Sequence, residues 1–181
     1  FDYVIIGAGS AGCILANRLT ADGKHTVCLL EAGPPDWNPY IHIPAGFIKT
    51  LTNPNINWLY QSEPSHWTGG RSIDVPRGKT LGGSSSINGH IYNRGQRMDF
   101  DSWSQRGNRN WGYSDVLPYF QRCEQRIGDA DDLYRGREGN LKVTDLNYSH
   151  PSCEKFIEGA QQIGLPRNPD YNGKQQEGIS Y

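Results

Sequence analysis

The sequence lacks the features that would direct a protein into a membrane or onto nucleic acid. None of its 181 residues belongs to an apolar run approaching the ~20 residues needed to cross a bilayer. No signal-peptide-like apolar region precedes the first predicted strand. Basic and acidic residues nearly balance, 18 against 19, so no basic footprint for nucleic acid is present. With a mean hydropathy of −0.70 and a pI near 6.6, the composition predicts a cytoplasmic protein and leaves peripheral membrane contact open.

Cysteine is scarce as well, and no two cysteines form a C-x-x-C pair. This absence argues against redox and zinc motifs, and the five histidines show no metal-ligand spacing with cysteines or carboxylates. We therefore expect no metal site, and reduced, buried thiols in a reducing compartment. The four cysteines are Cys13, Cys28, Cys123 and Cys153.

A nucleotide-binding pattern occupies the first 31 residues. Val4–Ile6 is an apolar run typical of a buried strand, and residues 7–12 then match G-x-G-x-x-G before a helix predicted over 13–19. A second apolar run, 26–30, places Glu31 nineteen residues past Gly12, where an acid hydrogen-bonds a ribose. The pattern favours a dinucleotide over a plain βαβ crossover. It argues against NADP and leaves NAD and FAD open.

A second motif spans Arg77–Asn88 and combines two cations, a glycine pair and three serines. Gly82 and Gly83 permit close approach to a ligand, and the serines that follow are typical of a helix cap whose N–H groups face an anion. The motif predicts a loop that holds phosphate or flavin. A strand predicted over 71–75 leads into it.

Together these motifs resemble the glucose-methanol-choline (GMC) oxidoreductases, most closely the bacterial choline dehydrogenase and alcohol dehydrogenase branch. The resemblance covers essentially the whole chain. It is carried by residues 2–12, 30–34, 43–46, 57–58, 76–89 and 94–95.

The resemblance implies FAD, with Ser10 and Ala11 on the pyrophosphate and Glu31 on the adenosine ribose. Family members with covalent FAD carry a histidine just before the asparagine of the second motif, and this sequence has Ile87 there. Non-covalent FAD is therefore expected. The implied cofactor-binding residues are Gly7, Gly9, Ser10, Ala11, Gly12, Glu31, Ala32, Arg77, Gly78, Leu81, Gly83, Ser84, Asn88, Gly89 and Ile91, the last three lying near the isoalloxazine ring.

The expected fold class is α/β, a Rossmann-like FAD-binding domain that is incomplete in this chain, followed by the start of an α+β substrate domain. We assign residues 1–33 and 71–95 to the FAD-binding unit and 34–70 to a lid-like connection over the cofactor. Residues 96–150 form a helical extension with a strand, and 151–181 begin the substrate-binding region. A doubly wound sheet needs later strands, so we expect an amino-terminal portion of a larger enzyme.

The chemistry that the resemblance implies is oxidation of a primary alcohol, with hydride transfer to flavin N5 and reoxidation by oxygen or a quinone. The catalytic base is expected beyond Tyr181, so no catalytic residue is assigned here. Choline, aliphatic alcohols and larger hydroxymethyl compounds all remain open as substrates. Alternatives are a lyase or photodecarboxylase of the same superfamily, or an inactive FAD-binding fragment.

Several local expectations complete the prediction. Trp58 and Tyr60 are candidates for the pocket wall or the core, and a structural role for His90 is favoured over a catalytic or flavin-linked one. Beyond these residues the sequence predicts helices over 98–105, over 114–126 with Ser114 as cap, and over 151–163, a strand over 141–144, and a solvated loop over 129–138.

Overall fold

The computed structural model describes residues 1–181, whose internal contacts divide into two units, Phe1–Ile91 and Tyr92–Tyr181. In the first unit, strand β1 (Tyr3–Ile6), helix α1 (Ser10–Thr20) and strand β2 (Val27–Leu30) form the predicted βαβ unit. The two strands pair in parallel, from Tyr3 opposite Val27 to Ile6 opposite Leu30.

The predicted buried character of β1 is wrong. Val4 and Ile6 are 60% and 88% exposed, and Ile5 is the strand's half-buried residue. The physical reason is that α1 packs on the face of the strand that carries Ile5, where a Cβ on Gly12 would lie 3.3 Å from Ile5 Cγ2, whereas Val4 and Ile6 point to the opposite face and stay exposed. Polar contacts help to hold β1 beside β2. The Asp2 carboxylate accepts hydrogen bonds from both the backbone N–H (2.7 Å) and the hydroxyl (2.8 Å) of Thr26.

The connection after β2 is built from short pieces, since prolines interrupt it repeatedly. The predicted strand over 71–75 is shorter than expected and pairs antiparallel with residues 60–61. The elements are helices α2 (Pro39–His42) and α3 (Phe47–Thr50), strands β3 (Tyr60–Gln61) and β4 (Asp74–Val75), and 3₁₀ helices Pro44–Gly46, His66–Thr68 and Gly83–Ser86.

The second unit contains three helices and a two-stranded parallel sheet. Phe100 and Tyr113 are buried between the first two helices, whereas Trp103 remains about half exposed. The elements are α4 (Arg97–Gln105), α5 (Tyr113–Cys123), β5 (Glu124–Arg126), β6 (Leu141–Val143) and α6 (Pro151–Gln162).

Two predictions about α5 are wrong. The N-cap is Gly112 and not Ser114, and the carboxylate of Asp115, three residues further on, accepts the N–H of Gly112 at 3.1 Å. It also ends at Cys123, because residues 124–126 leave the helix to pair with β6.

The segment 129–138 is a loop with mostly exposed residues, as predicted, but Arg135 and Gly136 within it are buried and contribute to a buried ionic cluster. Glu124 is fully buried and accepts hydrogen bonds from the guanidinium groups of Arg94 and Arg135, and from the N–H of Gly136. Burial opposes ionisation of Glu124, but these hydrogen bonds and the two positive charges outweigh it and hold the pKa of its carboxyl below the ordinary value.

All four cysteines are free; Cys153 is exposed and the other three are half-buried, so the expectation of buried thiols is wrong. None of the helices combines the length and the apolar character required to span a bilayer.

Candidate functional site

The first motif forms a tight turn between β1 and α1. Gly7 takes a left-handed conformation (φ +96°). A Cβ on Gly12 would lie 2.0 Å from the carbonyl oxygen of Gly7, so α1 packs closely on the turn only because residue 12 has no side chain.

The amino terminus of α1 is open to an anion. Gly9 is the N-cap, no side chain caps the helix, and its first turn holds no acidic residue. Because the first N–H groups of an α-helix have no intrahelical partners, those of Ser10 and Ala11 remain available. Together with the helix dipole, they make this terminus suited to a phosphate group.

The second motif lies directly against the first. The N–H of Gly82 donates to the carbonyl of Ala8 at 2.8 Å, and Gly9 and Gly82 form a parallel β-bridge. A Cβ on Gly83 would lie 2.7 Å from the Cα of Gly9. Two glycine-rich segments far apart in sequence therefore form one surface, and its closeness depends on the absence of side chains.

The serines of the second motif do not cap a helix, so that prediction is wrong. Ser84 Oγ accepts the N–H of Gly78 at 3.1 Å, and the hydroxyl of Ser85 donates to the carbonyl of Gly82 at 2.6 Å. Ser86 likewise donates to the carbonyl of Leu81 at 2.8 Å. These bonds satisfy backbone groups of the loop itself and fix the loop's shape.

Glu31 lies just past the carboxyl end of β2, as predicted. One carboxylate oxygen accepts the N–H of Ala8 at 2.8 Å, and the other accepts the N–H of Gly33 at 3.0 Å. Each oxygen has further lone pairs, so the carboxylate can also accept from a hydroxyl group. Glu31 therefore braces the glycine turn in addition to any ligand contact.

Residues of both glycine motifs, together with Glu31, line a cavity of 590 Å³. It brings together eight of the predicted cofactor-binding residues, and Trp58 and Tyr60 form part of its wall. The rings of Trp58 and Tyr60 stack in parallel, with centroids 5.9 Å apart and an interplanar angle of 5°, and the Lys79 ammonium lies 4.9 Å from the Trp58 ring centroid. The lining residues are Ile6, Gly7, Gly9, Leu30, Glu31, Ala32, Trp58, Tyr60, Arg77, Gly78, Gly83 and Ser84.

Ile6 and Leu30 also line the cavity, although they were not among the predicted site residues. Both end their strands next to a motif residue. Since the carboxyl ends of parallel strands meet at one edge of the sheet, the position of both residues at a strand end could have indicated from the sequence that they line the site.

The remaining predicted residues lie outside this lining: Ser10, Ala11, Gly12, Leu81, Asn88, Gly89 and Ile91. The stretch 88–91 is largely exposed, with Ile91 at 78%. Within it His90 has φ +60°, its N–H donates to Asn88 Oδ1 at 3.0 Å, and its ring contacts Phe47 edge-on at 6.2 Å.

The site fits a dinucleotide. Its glycines would place a Cβ into neighbouring backbone, its helix terminus is uncapped, and a carboxylate stands at the end of the second strand. Fold and site therefore define a dinucleotide-binding protein of the Rossmann type.

Comparison with known proteins gives the family: the GMC oxidoreductase model matches residues 1–181, and the chain belongs to that family. The cofactor that this membership implies is FAD, which agrees with the sequence prediction.

Two curated relatives illustrate the similarity. The chain is 43% identical over 181 residues to an alcohol dehydrogenase [acceptor] of Pseudomonas putida, covering 100% of this chain and 33% of the relative. It is 47% identical over 178 residues to an oxygen-dependent choline dehydrogenase of Brucella ovis, covering 98% and 32%. The chain thus spans about a third of the length of these relatives.

Solved structures show the same fold. The crystal structure of pyridoxine 4-oxidase from Mesorbium loti superposes with a TM-score of 0.88 at 35% identity, over 98% of this chain and 35% of that one. A formate oxidase structure gives a TM-score of 0.83 at 26% identity, over 96% and 32%.

Proposed function

We propose that this chain is the FAD-binding part of an enzyme that oxidises a primary alcohol to an aldehyde. The observation that supports this most is the close apposition of Gly9 with Gly82 and Gly83 beside an uncapped helix terminus. FAD, when bound, supplies the N5 atom that accepts hydride from the alcohol carbon. The names of the relatives, alcohol and choline dehydrogenases, agree with such a substrate.

This chain's residues bind and orient the cofactor. We assign the N–H groups of Ser10 and Ala11 to the pyrophosphate and the Glu31 carboxylate to the adenosine ribose, where it has free lone pairs. The stacked rings of Trp58 and Tyr60 form an aromatic wall for the adenine. The other contacts are assigned to the motif residues Gly7, Gly9, Gly12, Ala32, Arg77, Gly78, Leu81, Gly83 and Ser84.

The segment Asn88–Ile91 is assigned to the isoalloxazine end of the cofactor, through Asn88, Gly89 and Ile91. Ile87 is 2% exposed and offers no nucleophilic atom for a flavin link, which supports non-covalent FAD. No residue of 1–181 receives a catalytic role. Oxygen or a quinone as electron acceptor, a cytoplasmic location, and residues 151–181 as the start of a substrate-binding region stay predictions.

The test is anaerobic reduction of the flavin in the full-length protein. Mixing with choline, 1-alkanols or pyridoxine should bleach the yellow colour for at least one alcohol and yield the matching aldehyde. The O-methyl ether of that alcohol is the control, since it has no hydroxyl proton to lose. Persistent flavin absorbance with every alcohol would contradict alcohol oxidation and favour the lyase alternative.

A further inference from the structure

In the first unit, one buried asparagine joins the two segments that carry part of the cavity wall. Trp58 and Tyr60 belong to the first segment and Arg77 to the second, and all three line the cavity. Asn57 precedes Trp58 in the chain, is 2% exposed and is not itself a lining residue. Any effect of Asn57 on a bound ligand must therefore pass through its neighbours.

The side-chain amide of Asn57 uses both of its polar ends. Oδ1 accepts the N–H of Arg77 at 3.1 Å and the N–H of Leu59 at 3.0 Å. Nδ2 donates to the carbonyl of Leu51 at 2.8 Å. One amide thus links three points of the backbone, and because it is buried, these bonds are stronger than exposed ones would be.

The bond to Arg77 belongs to a larger contact between the two segments. The N–H of Trp58 donates to the carbonyl of Arg77 at 2.9 Å, so the side chain of Asn57 and the backbone of Trp58 together bind both backbone polar groups of Arg77. Asn57 and Gly78 also form an antiparallel β-bridge. The start of the second glycine motif is therefore fixed to the residues that carry the aromatic wall.

The bond to Leu59 supports a strained residue within the aromatic wall. Leu59 stands in the chain between Trp58 and Tyr60, whose rings stack, and it takes a left-handed conformation (φ +53°). For a residue with a side chain this conformation is unfavourable, so it persists only where surrounding contacts hold it. Asn57 supplies such a contact by accepting the N–H of Leu59.

We propose that Asn57 is a positioning residue for the nucleotide end of the cofactor. Through the backbone it holds Arg77 and the aromatic wall of Trp58 and Tyr60 at the spacing that the bound cofactor requires. This inference rests on the proposed function, specifically on FAD occupying the cavity. Loss of the amide leaves the lining side chains in place in the sequence but lets the two segments that carry them shift relative to each other.

The experiment measures the Kd for FAD of Asn57→Ala in the full-length protein by titration of the apoprotein. Asn53→Ala is the matched control. Asn53 Oδ1 accepts the N–H of Asn55 at 3.0 Å, which is the same local contact that Asn57 makes with Leu59, whereas Asn57 also binds Arg77. We expect Asn57→Ala to raise the Kd about tenfold and Asn53→Ala to leave it unchanged.

A double-mutant cycle separates positioning from a general loss of stability. The Asn57→Ala change is repeated in a background that carries Trp58→Ala and Arg77→Ala. If Asn57 acts through these two residues, the change should raise the Kd there by less than about twofold. A rise of the same size in both backgrounds would overturn the inference, as would an Asn57→Ala protein that binds FAD as tightly as Asn53→Ala does.

Asn57→Ser provides a second route if Asn57→Ala does not fold. Its hydroxyl can bond a backbone group but is too short to make all three bonds of the amide. It should therefore raise the Kd by a smaller factor and lose this effect in the Trp58→Ala and Arg77→Ala background. Equal Kd values for Asn57→Ser and Asn53→Ala would overturn the inference. A wild-type protein that binds no FAD would instead refute the proposed function.

Discussion

Replacing Gly12 by alanine should weaken FAD binding by displacing helix α1 from the glycine turn. The new Cβ would lie 2.0 Å from the carbonyl oxygen of Gly7, where ordinary van der Waals contact begins at 3.4 Å. The obstacle is backbone, so α1 must move by about 1.4 Å relative to the turn. A shift of that size takes the terminal N–H groups of Ser10 and Ala11 beyond hydrogen-bonding distance of a phosphate.

The magnitude follows from the bonds lost. Two hydrogen bonds to a charged group contribute about 3 kcal/mol or more, which corresponds to a loss of FAD affinity of about 100-fold or greater. Titrating the full-length apoprotein with FAD and following the flavin fluorescence measures this loss.

Gly159→Ala is the matched control for Gly12→Ala. It makes the same change in the interior of α6, where a Cβ meets nothing within 4 Å. The control should bind FAD as wild type does and gain up to about 1 kcal/mol of stability from helix propensity. If Gly12→Ala bound FAD as tightly as Gly159→Ala, the close packing at Gly12 would not matter for the cofactor.

Three further changes test other parts of the account. Glu124→Gln should lower the free energy of unfolding by about 3–5 kcal/mol in urea titrations, because it leaves buried guanidinium charge without a counterion. The folded-state pKa of Glu124 is lowered, so the stability that its carboxylate contributes is complete above the ordinary pKa of about 4.3 and is lost as the pH falls through the lowered value. The unfolding free energies of wild type and Glu124→Gln should therefore converge in acid. A difference between them that does not change with pH would contradict this. Glu31→Gln replaces one carboxylate oxygen that faces a backbone N–H group by an NH2 group, so it should weaken FAD binding about tenfold in the same fluorescence titration. Unchanged affinity would show that Glu31 does not contribute to FAD binding. Trp58→Ala should weaken FAD binding by about tenfold, with Trp67→Ala, 92% exposed, as the variant expected to match wild type; equal affinities would exclude an aromatic wall at the adenine.

The amino-terminal βαβ unit was predictable because its signals are local. The apolar runs, the glycine spacing and Glu31 fall within 31 residues, and each position has one physical reason. The contact between the two glycine motifs was not visible in the same way. It depends on Gly9 and Gly82 approaching across more than seventy residues, which the sequence indicates only through the presence of two glycine-rich loops.

The errors in the second unit have a common cause. Residues 114–126 read as one helix, yet Glu124 is drawn into a strand by Arg94, Arg135 and the backbone of Gly136. Within the mostly exposed segment 129–138, Arg135 is buried for the same reason, since it pairs with Glu124 and Asp170. Buried ion pairs between distant residues invert the usual relation between charge and exposure, and a single sequence does not reveal its long-range partners.

The most direct test of the central claim is the flavin content of the full-length protein purified without added cofactor. The protein should be yellow, and acid precipitation should release a stoichiometric amount of unmodified FAD into the supernatant and leave a colourless pellet. A yellow pellet would contradict non-covalent attachment. A protein that carries no flavin and does not bind added FAD would contradict the assignment of this site to the cofactor.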